Sequence, residues 1–329
     1  MNTFAPASND HLIGFIGLGW MGSHFVGRLV EGGWRLEVFD IIPQKRAALA
    51  DKGAIAAASA DHVVRECDVI FTSLPSSEVF ETVAEESIVP LARAGQVIVD
   101  LGTTRLGPTR RLATVLAAKG AALLDAPVSG DPRTPVYIFV GGEESAFQRV
   151  KPLLQVLADP DHLTLAGASG SGQILKGVNQ LSMGVVQAAW LEAVSYATRQ
   201  GIDPQTVKRA VGGATGWRAE LAGVSQQIAD GKGENNDLKF AELPYFLHAA
   251  EQAGLDLPLT RALFEFCSPG PRDWRDNMNR PYVSFWHMLN RNPPTELGEA
   301  AFCAQSFRAP IAGGWPGASI RRNLPLDAS

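Results

Sequence analysis

Short apolar segments alternate with amphipathic ones along the first half of the chain. Strands are predicted where the apolar runs are four to six residues long, at residues 12–17, 35–40, 69–74, 97–101, 122–125 and 137–141. Helices are predicted at residues 21–31, 43–52 and 108–119. Regular alternation of strands and helices favours an α/β domain with a parallel, doubly wound sheet.

The pattern changes near residue 167. Residues 174–196 are almost continuously apolar and contain no proline, which is too long for a strand and predicts a buried helix. Further helices are predicted at residues 204–211, 219–229 and 241–253. We therefore expect a doubly wound domain over residues 1–167, an all-α domain over 168–292 and an irregular tail over 293–329.

Composition restricts the classes of partner and compartment. The chain has 329 residues, 46% of them hydrophobic, and a net charge of -5 without a long run of either sign. Neither nucleic acid nor a membrane is an expected partner. Residues 1–10 lack the layout of a signal peptide, and three distant cysteines fit neither a disulfide framework nor a metal site. We expect a reduced, cytoplasmic protein without a metal.

A glycine-rich run stands between the first predicted strand and helix. Its sequence is Gly17-Leu18-Gly19-Trp20-Met21-Gly22, which matches G-x-G-x-x-G. The glycines allow a tight turn, backbone approach to a pyrophosphate and close helix packing. The whole run, with Leu18, Trp20 and Met21, is predicted to line a dinucleotide. A plain glycine turn is the alternative.

Asp40 ends the second predicted strand, about 20 residues after the glycine run. A carboxylate at this place accepts hydrogen bonds from the ribose hydroxyls of NAD and repels the extra phosphate of NADP. The sequence thus favours NAD as the cofactor. Lys45 and Arg46 follow closely and leave NADP open, and a solvated acid at a strand end is the other alternative.

Lys176 is the one formally charged residue between Asp161 and Glu192. Burial of a lysine in an apolar helix lowers its pKa, which suits an acid/base catalyst working near neutral pH. Asn179 and Gln180 follow at i+3 and i+4 and share its helix face. The alternative is a structural lysine whose ammonium reaches solvent at the helix edge.

Three motifs together resemble the β-hydroxyacid dehydrogenase family. Residues 15–22 resemble its N-terminal signature, and Asp125-Ala126-Pro127-Val128-Ser129-Gly130 resembles its substrate loop, D-A-P-V-S-G-G. Residues 170–180, from Gly170 to Gln180, resemble its catalytic motif, G-x-G-x-x-x-K-x-x-N-[NQ]. The resemblance covers residues 12–258 and implies a Rossmann domain followed by a helical domain.

The resemblance also implies roles for individual residues. Lys176 would be the general acid/base, Asn179 and Gln180 would hold the substrate or Lys176, and Ser129 with the backbone of Gly130 would bind the acid group. Three more residues would line the cofactor: Leu74, Pro75 and Thr103. The helical domain of the family implies a homodimer or homotetramer.

Two departures from the family concern the substrate side. Asp131 replaces a glycine, and a shorter segment with Arg133 follows it. Asp131 could point away, face the pocket while Arg133 binds the substrate's acid group, or form a surface pair with Arg133. Ala241 stands where the family has a second lysine, with Lys239 nearby.

The function expected from these features is NAD-dependent oxidation of a small, anionic β-hydroxy acid, or reduction of the corresponding semialdehyde or keto acid. Imine reduction on the same fold is disfavoured by Lys176, which that branch typically replaces. A cofactor-binding protein with a regulatory or scaffolding role and little turnover is the other alternative.

Overall fold

The computed structural model describes residues 11–238, 242–267 and 284–290. Its single sheet has the strand order β3-β2-β1-β4-β5-β6-β8-β7, and β9 pairs with β8. The strands are β1 Leu12–Ile16, β2 Arg35–Phe39, β3 Ile55–Ala56, β4 Val69–Thr72, β5 Val97–Asp100, β6 Ala122–Asp125, β7 Val128–Ser129, β8 Val136–Gly141 and β9 Ala158–Gly167.

Helices follow most of the strands. They are α1 Trp20–Glu31, α2 Pro43–Ala50, α3 Ala60–Glu66, α4 Ser77–Val83, α5 Val89–Leu91, α6 Leu106–Ala117, α7 Glu144–Leu157, α8 Ser171–Arg199, α9 Pro204–Val211, α10 Gly216–Ala229, α11 Leu243–Gln252, α12 Pro258–Cys267 and α13 Phe285–Asn290. A π-helical turn joins α4 to α5.

The strands from β3 to β6 pair in parallel, as the alternation of elements predicts. Apolar side chains are buried on both faces of this part of the sheet, and the rings of Phe15 and Phe71 stack with centroids 5.8 Å apart. The strand order reverses at β1, which lies between β2 and β4. Open α/β sheets bind ligands in the crevice beyond the carboxyl ends of the strands at such a point.

The far edge of the sheet differs from the sequence prediction. The strand β8 runs antiparallel to β6 and β7, and the ten-residue strand β9 lies parallel to β8. The sequence did not indicate β9, because residues 158–162 contain two aspartates and a proline, residue types that are depleted in strands. Ala158 and residues 163–167 of β9 pair with β8, and the register shifts between these two points.

The predicted buried helix is α8, whose 29 residues extend past both predicted ends. The chain divides into two compact units, one of residues 1–188 with 238–285 and the other of residues 189–237 with 286–329. The first contains the whole sheet. In the second, the rings of Trp190 and Trp217 stack with centroids 6.1 Å apart. The domain boundary between residues 167 and 168 stays a prediction.

Within the described ranges, every helix is too short or too polar to cross a membrane.

Candidate active site

The glycine run forms the connection between β1 and α1. Gly17 has a φ of +97°, and an added Cβ would lie 2.3 Å from the carbonyl oxygen of Ser73. Its N–H donates to the carbonyl oxygen of Phe39 at 2.8 Å. Position 17 therefore requires glycine, both for its backbone conformation and for the close approach of the loop that follows β4.

The other two glycines have opposite surroundings. A Cβ on Gly22 would lie 2.1 Å from the carbonyl oxygen of Gly17, so this glycine permits close packing of α1. A Cβ on Gly19 would meet nothing within 4 Å, and Gly19 is the N-cap of α1 without a side-chain cap. Open space beside uncapped helix N–H groups fits a pyrophosphate, so the loop fits a dinucleotide.

Asp40 is buried at the end of β2 and contacts the glycine loop. Its carboxylate accepts the N–H of Leu18 at 2.8 Å and the N–H of Ile42 at 2.9 Å, and Lys45 Nζ lies 3.3 Å away. Burial raises the pKa of Asp40, but these donors outweigh burial and the pKa is lowered. The guanidinium of Arg46 donates to the Asp40 carbonyl oxygen at 3.1 Å. Asp40 is thus an ionised acceptor held beside the glycine loop.

The loop after β4 lies next to the glycine loop, and the loop after β5 lies next to the end of β4. Ser73 N–H donates to the carbonyl oxygen of Ile16 and Leu101 N–H to that of Thr72, both at 2.9 Å. These loops carry the three further residues predicted to line the cofactor: Leu74, Pro75 and Thr103. Leu74 and Thr103 are half-buried and Pro75 is exposed.

A buried carboxyl group, which the sequence did not single out, organises the loop after β5. Asp100 accepts the hydroxyls of Thr72 at 2.9 Å and Thr104 at 3.2 Å, and the N–H of Gly102 at 3.2 Å. Burial raises the pKa of Asp100 to about 7, and the hydrogen bonds oppose the rise. The residues on both sides of Thr103 are therefore bound to this group, Gly102 through its backbone and Thr104 through its side chain.

Lys176 lies on α8 with a side chain that is almost wholly buried, at 6% exposure. Its Nζ donates to the carbonyl oxygen of Val128 in the substrate loop at 2.8 Å. Burial lowers the pKa of Lys176, and the negative charge of Glu242 opposes that effect. Burial likewise raises the pKa of Glu242 against the opposing charge of Lys176.

The face of α8 that carries Lys176 meets the substrate loop at a second point. The amide of Asn179 donates to Ser129 Oγ at 3.0 Å. Gln180 is buried, and Gly130 has a φ of +125°, a conformation that glycine adopts without strain. The structure therefore places Lys176 and Asn179 against Val128 and Ser129, on elements about 50 residues apart in the chain.

Asp131 and Arg133 form an ion pair in which the guanidinium of Arg133 donates hydrogen bonds to the carboxylate of Asp131. Arg133 Nε donates to both carboxylate oxygens, at 2.9 and 3.0 Å, and hydrogen bonds from Arg133 lower the pKa of Asp131 to about 2. The guanidinium lies over the ring of Trp20, 5.6 Å from its centroid. The Arg133 side chain is 64% exposed. Of the three arrangements considered for Asp131, the structure contains the surface pair.

Ala241 and Lys239 lie outside the described residues, so the expected loss of the family's second lysine stays a prediction. The neighbouring Glu242 was not predicted to belong to the site. Sequence spacing gave no signal for it, because it is more than 60 residues from Lys176 and is brought near by the start of α11.

Comparison with known proteins identifies two family models in this chain. Residues 12–167 match the NAD-binding domain of 6-phosphogluconate dehydrogenase. Residues 170–272 match a model described as the NAD-binding domain of NADP-dependent 3-hydroxyisobutyrate dehydrogenase. Together they span both the glycine loop and the helix that carries Lys176.

Two curated relatives and one solved structure are similar over most of their length. 2-(Hydroxymethyl)glutarate dehydrogenase of Eubacterium barkeri is 33% identical, over 75% of this chain and 85% of that protein. 2-Hydroxy-3-oxopropionate reductase of Escherichia coli K12 is 32% identical, over 78% and 91%. The structure of Mycobacterium tuberculosis 3-hydroxyisobutyrate dehydrogenase with L-serine shares the fold, with a TM-score of 0.68, 24% identity and coverage of 84% and 97%.

The family resemblance seen in the sequence is thereby confirmed, together with the predicted fold class and the expected oxidoreductase activity. The chain belongs to the β-hydroxyacid dehydrogenase family and is a nicotinamide-dependent oxidoreductase of hydroxy acids.

Proposed function

We propose that this enzyme oxidises a small, anionic β-hydroxy acid with NAD and that Lys176 is its general acid/base. The observation that carries the proposal is the buried amine of Lys176, which donates to the Val128 carbonyl oxygen at 2.8 Å beside the contact of Asn179 with Ser129. Because burial lowers its pKa, a larger fraction of Lys176 is neutral near pH 7 than of an exposed lysine.

The bond to Val128 also orients the amine. A neutral amine has two N–H groups and one lone pair, and one N–H is engaged by the Val128 carbonyl oxygen. The lone pair is then restricted to directions away from that carbonyl, where it accepts the proton of the substrate hydroxyl. In the reverse reaction the ammonium returns the proton to the carbonyl oxygen of the substrate. The nicotinamide, when bound, supplies the hydride chemistry.

We assign binding of the substrate's acid group to the start of the substrate loop. Ser129 Oγ accepts a hydrogen bond from Asn179, so its own O–H is directed to another acceptor. The carboxylate of the substrate accepts hydrogen bonds from that O–H and from the N–H of Gly130. The amide of Gln180, on the same helix face as Lys176, is a further hydrogen-bonding group for the substrate. Arg133, after exchanging the carboxylate of Asp131 for that of the substrate, would form the outer wall.

NAD is the proposed cofactor in preference to NADP. The ionised carboxylate of Asp40 is fixed by Leu18 and Ile42 at the end of β2, where it accepts ribose hydroxyls and repels a 2′-phosphate. The cation of Lys45 is engaged by the same carboxylate, which reduces its attraction for a phosphate. The matching family model names NADP-dependent enzymes, so the preference has to be measured with both cofactors.

A homodimer or homotetramer is the proposed assembly. Ile174, Val178 and Val186 are exposed apolar residues of α8. Val178 at i+4 shares a face with Ile174, and Val186 at i+12 lies about a third of a turn round from Ile174, so the three form a stripe that winds partly round the helix. An exposed apolar stripe of this kind marks a protein contact.

The cytoplasmic location stays a prediction.

Formation of NADH with a panel of β-hydroxy acids tests the proposal. The relatives are named for 2-(hydroxymethyl)glutarate, 2-hydroxy-3-oxopropionate and 3-hydroxyisobutyrate, so the panel contains the first and third acids, glycerate as the reduced form of the second, and 2-hydroxybutyrate as an α-hydroxy control. We expect turnover of a β-hydroxy acid and little with the control. Tight NAD binding without turnover of any acid would instead favour the non-catalytic alternative.

A further inference from the structure

The loop that contacts Lys176 and the helix that carries Lys176 are fixed at one common point. Asp125 ends β6 and is wholly buried, immediately before the substrate loop. Its carboxylate accepts the N–H of Gly170 at 2.7 Å and the N–H of Gln173 at 3.0 Å, at the start of α8. One residue thus holds the loop through the covalent chain and the helix through two hydrogen bonds.

The space around this carboxylate leaves little freedom for the helix. A Cβ on Gly172 would lie 2.5 Å from the Asp125 carbonyl oxygen and 2.9 Å from Oδ2. A Cβ on Gly141, the register partner of Asp125 on β8, would lie 2.7 Å from Oδ1. Glycines on two elements therefore allow the start of α8 to approach the sheet closely around one side chain.

Gln173 forms a second attachment, from the helix to the loop after β5. Its Oε1 accepts the N–H of Thr104 at 3.1 Å, and its Nε2 donates to the Gly102 carbonyl oxygen and to Thr104 Oγ1, each at 2.9 Å. These are the neighbours of Thr103, a proposed cofactor contact. Lys176 comes three residues after Gln173, so it lies on the next turn of the same helix.

The geometry points to Asp125 and Gln173 as positioning residues that set the place of the Lys176 amine between the substrate loop and the cofactor loop. This inference rests on the proposed acid/base role of Lys176. Asp125 holds the distance between α8 and Val128, whose carbonyl oxygen accepts from Lys176. Gln173 holds the same helix turn against residues 102–104. Neither side chain is assigned contact with substrate.

The test is the pH dependence of kcat for oxidation by Asp125→Asn, with the best acid of the panel. An amide keeps one acceptor oxygen and loses the other, so the helix start is held by one bond fewer. We expect kcat to fall between about 10-fold and 100-fold, because displacement of a catalytic group by about 1 Å has that effect. The Kd of NAD, measured by calorimetry, should stay within about twofold of the wild-type value. An unchanged Kd distinguishes loss of positioning from a general loss of structure.

The pH at which kcat rises, the rising limb of the pH profile, is a second measurement, which would not change if Asp125 had a purely structural role. Lys176 must be neutral to accept a proton, and burial lowers its pKa against the opposing charge of Glu242. A displaced, better solvated amine has a higher pKa, so the limb moves to higher pH in Asp125→Asn. Hydrogen exchange of residues 168–178, measured on the protein alone, becomes faster.

Asp203→Asn is the matched control. Asp203 is also a carboxylate at a helix N-cap, and it accepts the N–H of Thr206 at 3.0 Å at the start of α9. The same chemical change at this cap should leave kcat and the pH limb unchanged. If Asp125→Asn behaves like the control while Lys176→Met is inactive, the inference is wrong and the proposed function stands.

Gln173→Met keeps the inference testable where Asp125→Asn does not fold. The substitution preserves the length of the side chain and removes its bonds to Gly102 and Thr104. We expect the pH limb to move in the same direction and kcat to fall at least about threefold, which is less than in Asp125→Asn because the cap is intact. A folded Gln173→Met protein with an unchanged limb and unchanged kcat would overturn the inference.

Discussion

Asp40 decides cofactor choice at the scale of a single residue. Because its carboxylate is fixed by backbone donors, we expect kcat/KM to be higher with NAD than with NADP. Asp40→Ala should reduce the ratio of kcat/KM with NAD to kcat/KM with NADP by about 10-fold to 100-fold, since hydrogen bonds to a charged acceptor contribute about 1.5–3 kcal/mol. Steady-state kinetics with both cofactors measure the ratio.

Lys45→Met is the matched control for that change. It removes the cation 3.3 Å from Asp40 and leaves the carboxylate in place, so discrimination against the 2′-phosphate should increase. A wild-type enzyme that prefers NADP, or two variants that change the ratio in the same direction, would contradict the assignment.

Asp100 predicts a pH dependence of stability. Its pKa is raised to about 7 in the folded protein, whereas an unfolded chain releases that proton near pH 4. The stabilisation from holding this proton is fully present below pH 4 and is lost as the pH rises to about 7. Asp100→Asn cannot lose a proton, so the Tm of wild type minus that of the variant should fall between pH 5 and pH 7 and then level off. A difference that rises with pH over this interval would be inconsistent with the buried proton.

The sequence located the residues whose types are unusual for their surroundings. Lys176 stood out because it is a charge within an apolar helix, and Asp40 because of its distance from the glycine run. Asp100, Gln173 and Glu242 gave no such signal. A polar residue at a strand or helix end is ordinary, and only the packing of distant elements shows that each of these groups is enclosed.

At the scale of elements, the short loop from Asp131 to Pro135 tests how the substrate's acid group is held. The exposed ion pair of Asp131 with Arg133 is bound to no buried group, so a substrate carboxylate can replace Asp131 at modest cost. Arg133→Ala should raise the KM for the acid at least about tenfold, with little change in the KM for NAD. Asp131→Gly removes the carboxylate that competes for Arg133, so it should lower the KM for the acid.

Two outcomes separate the arrangements of this loop. If the KM for the acid rises only in Arg133→Ala, the arginine binds substrate after leaving Asp131. If both variants keep wild-type kinetics, the pair serves only to close the loop against Trp20, over whose ring Arg133 lies. Arg261→Ala, which removes an exposed pair with Asp256 instead, is the control.

At the scale of the whole molecule, the exposed stripe on α8 predicts the assembly. Val178 is 56% exposed at the centre of the stripe, between Ile174 and Val186. Val178→Arg places a charge in the proposed contact and should convert the oligomer to a monomer at micromolar concentration. Sedimentation velocity measures the change, and Lys151→Ala, on α7, is a control at a different surface. A wild-type protein that sediments as a monomer would contradict the proposed assembly.

Most of the sheet could be predicted because its longer parallel strands are local apolar runs that alternate with helices. The two-residue strand β3, whose residues are exposed, was not predicted. The far edge could not, since β7 has two residues and β9 is polar at its start, so both depend on pairing with β8. The long helix α8 was predicted from its continuous apolar sequence. Its attachment to the ends of β5 and β6 was not, because that contact is made by side chains more than 40 residues apart.

The acid/base role of Lys176 is tested most directly by the oxidation rate of Lys176→Met, measured with NAD and the best β-hydroxy acid. Methionine keeps the apolar stem of the side chain and removes the amine that contacts Val128. We expect kcat to fall by about 100-fold to 10,000-fold and the rising limb of the pH profile to disappear, while the Kd of NAD is unchanged. A variant that keeps more than about a tenth of wild-type kcat, with its pH limb intact, would show that another group moves the proton.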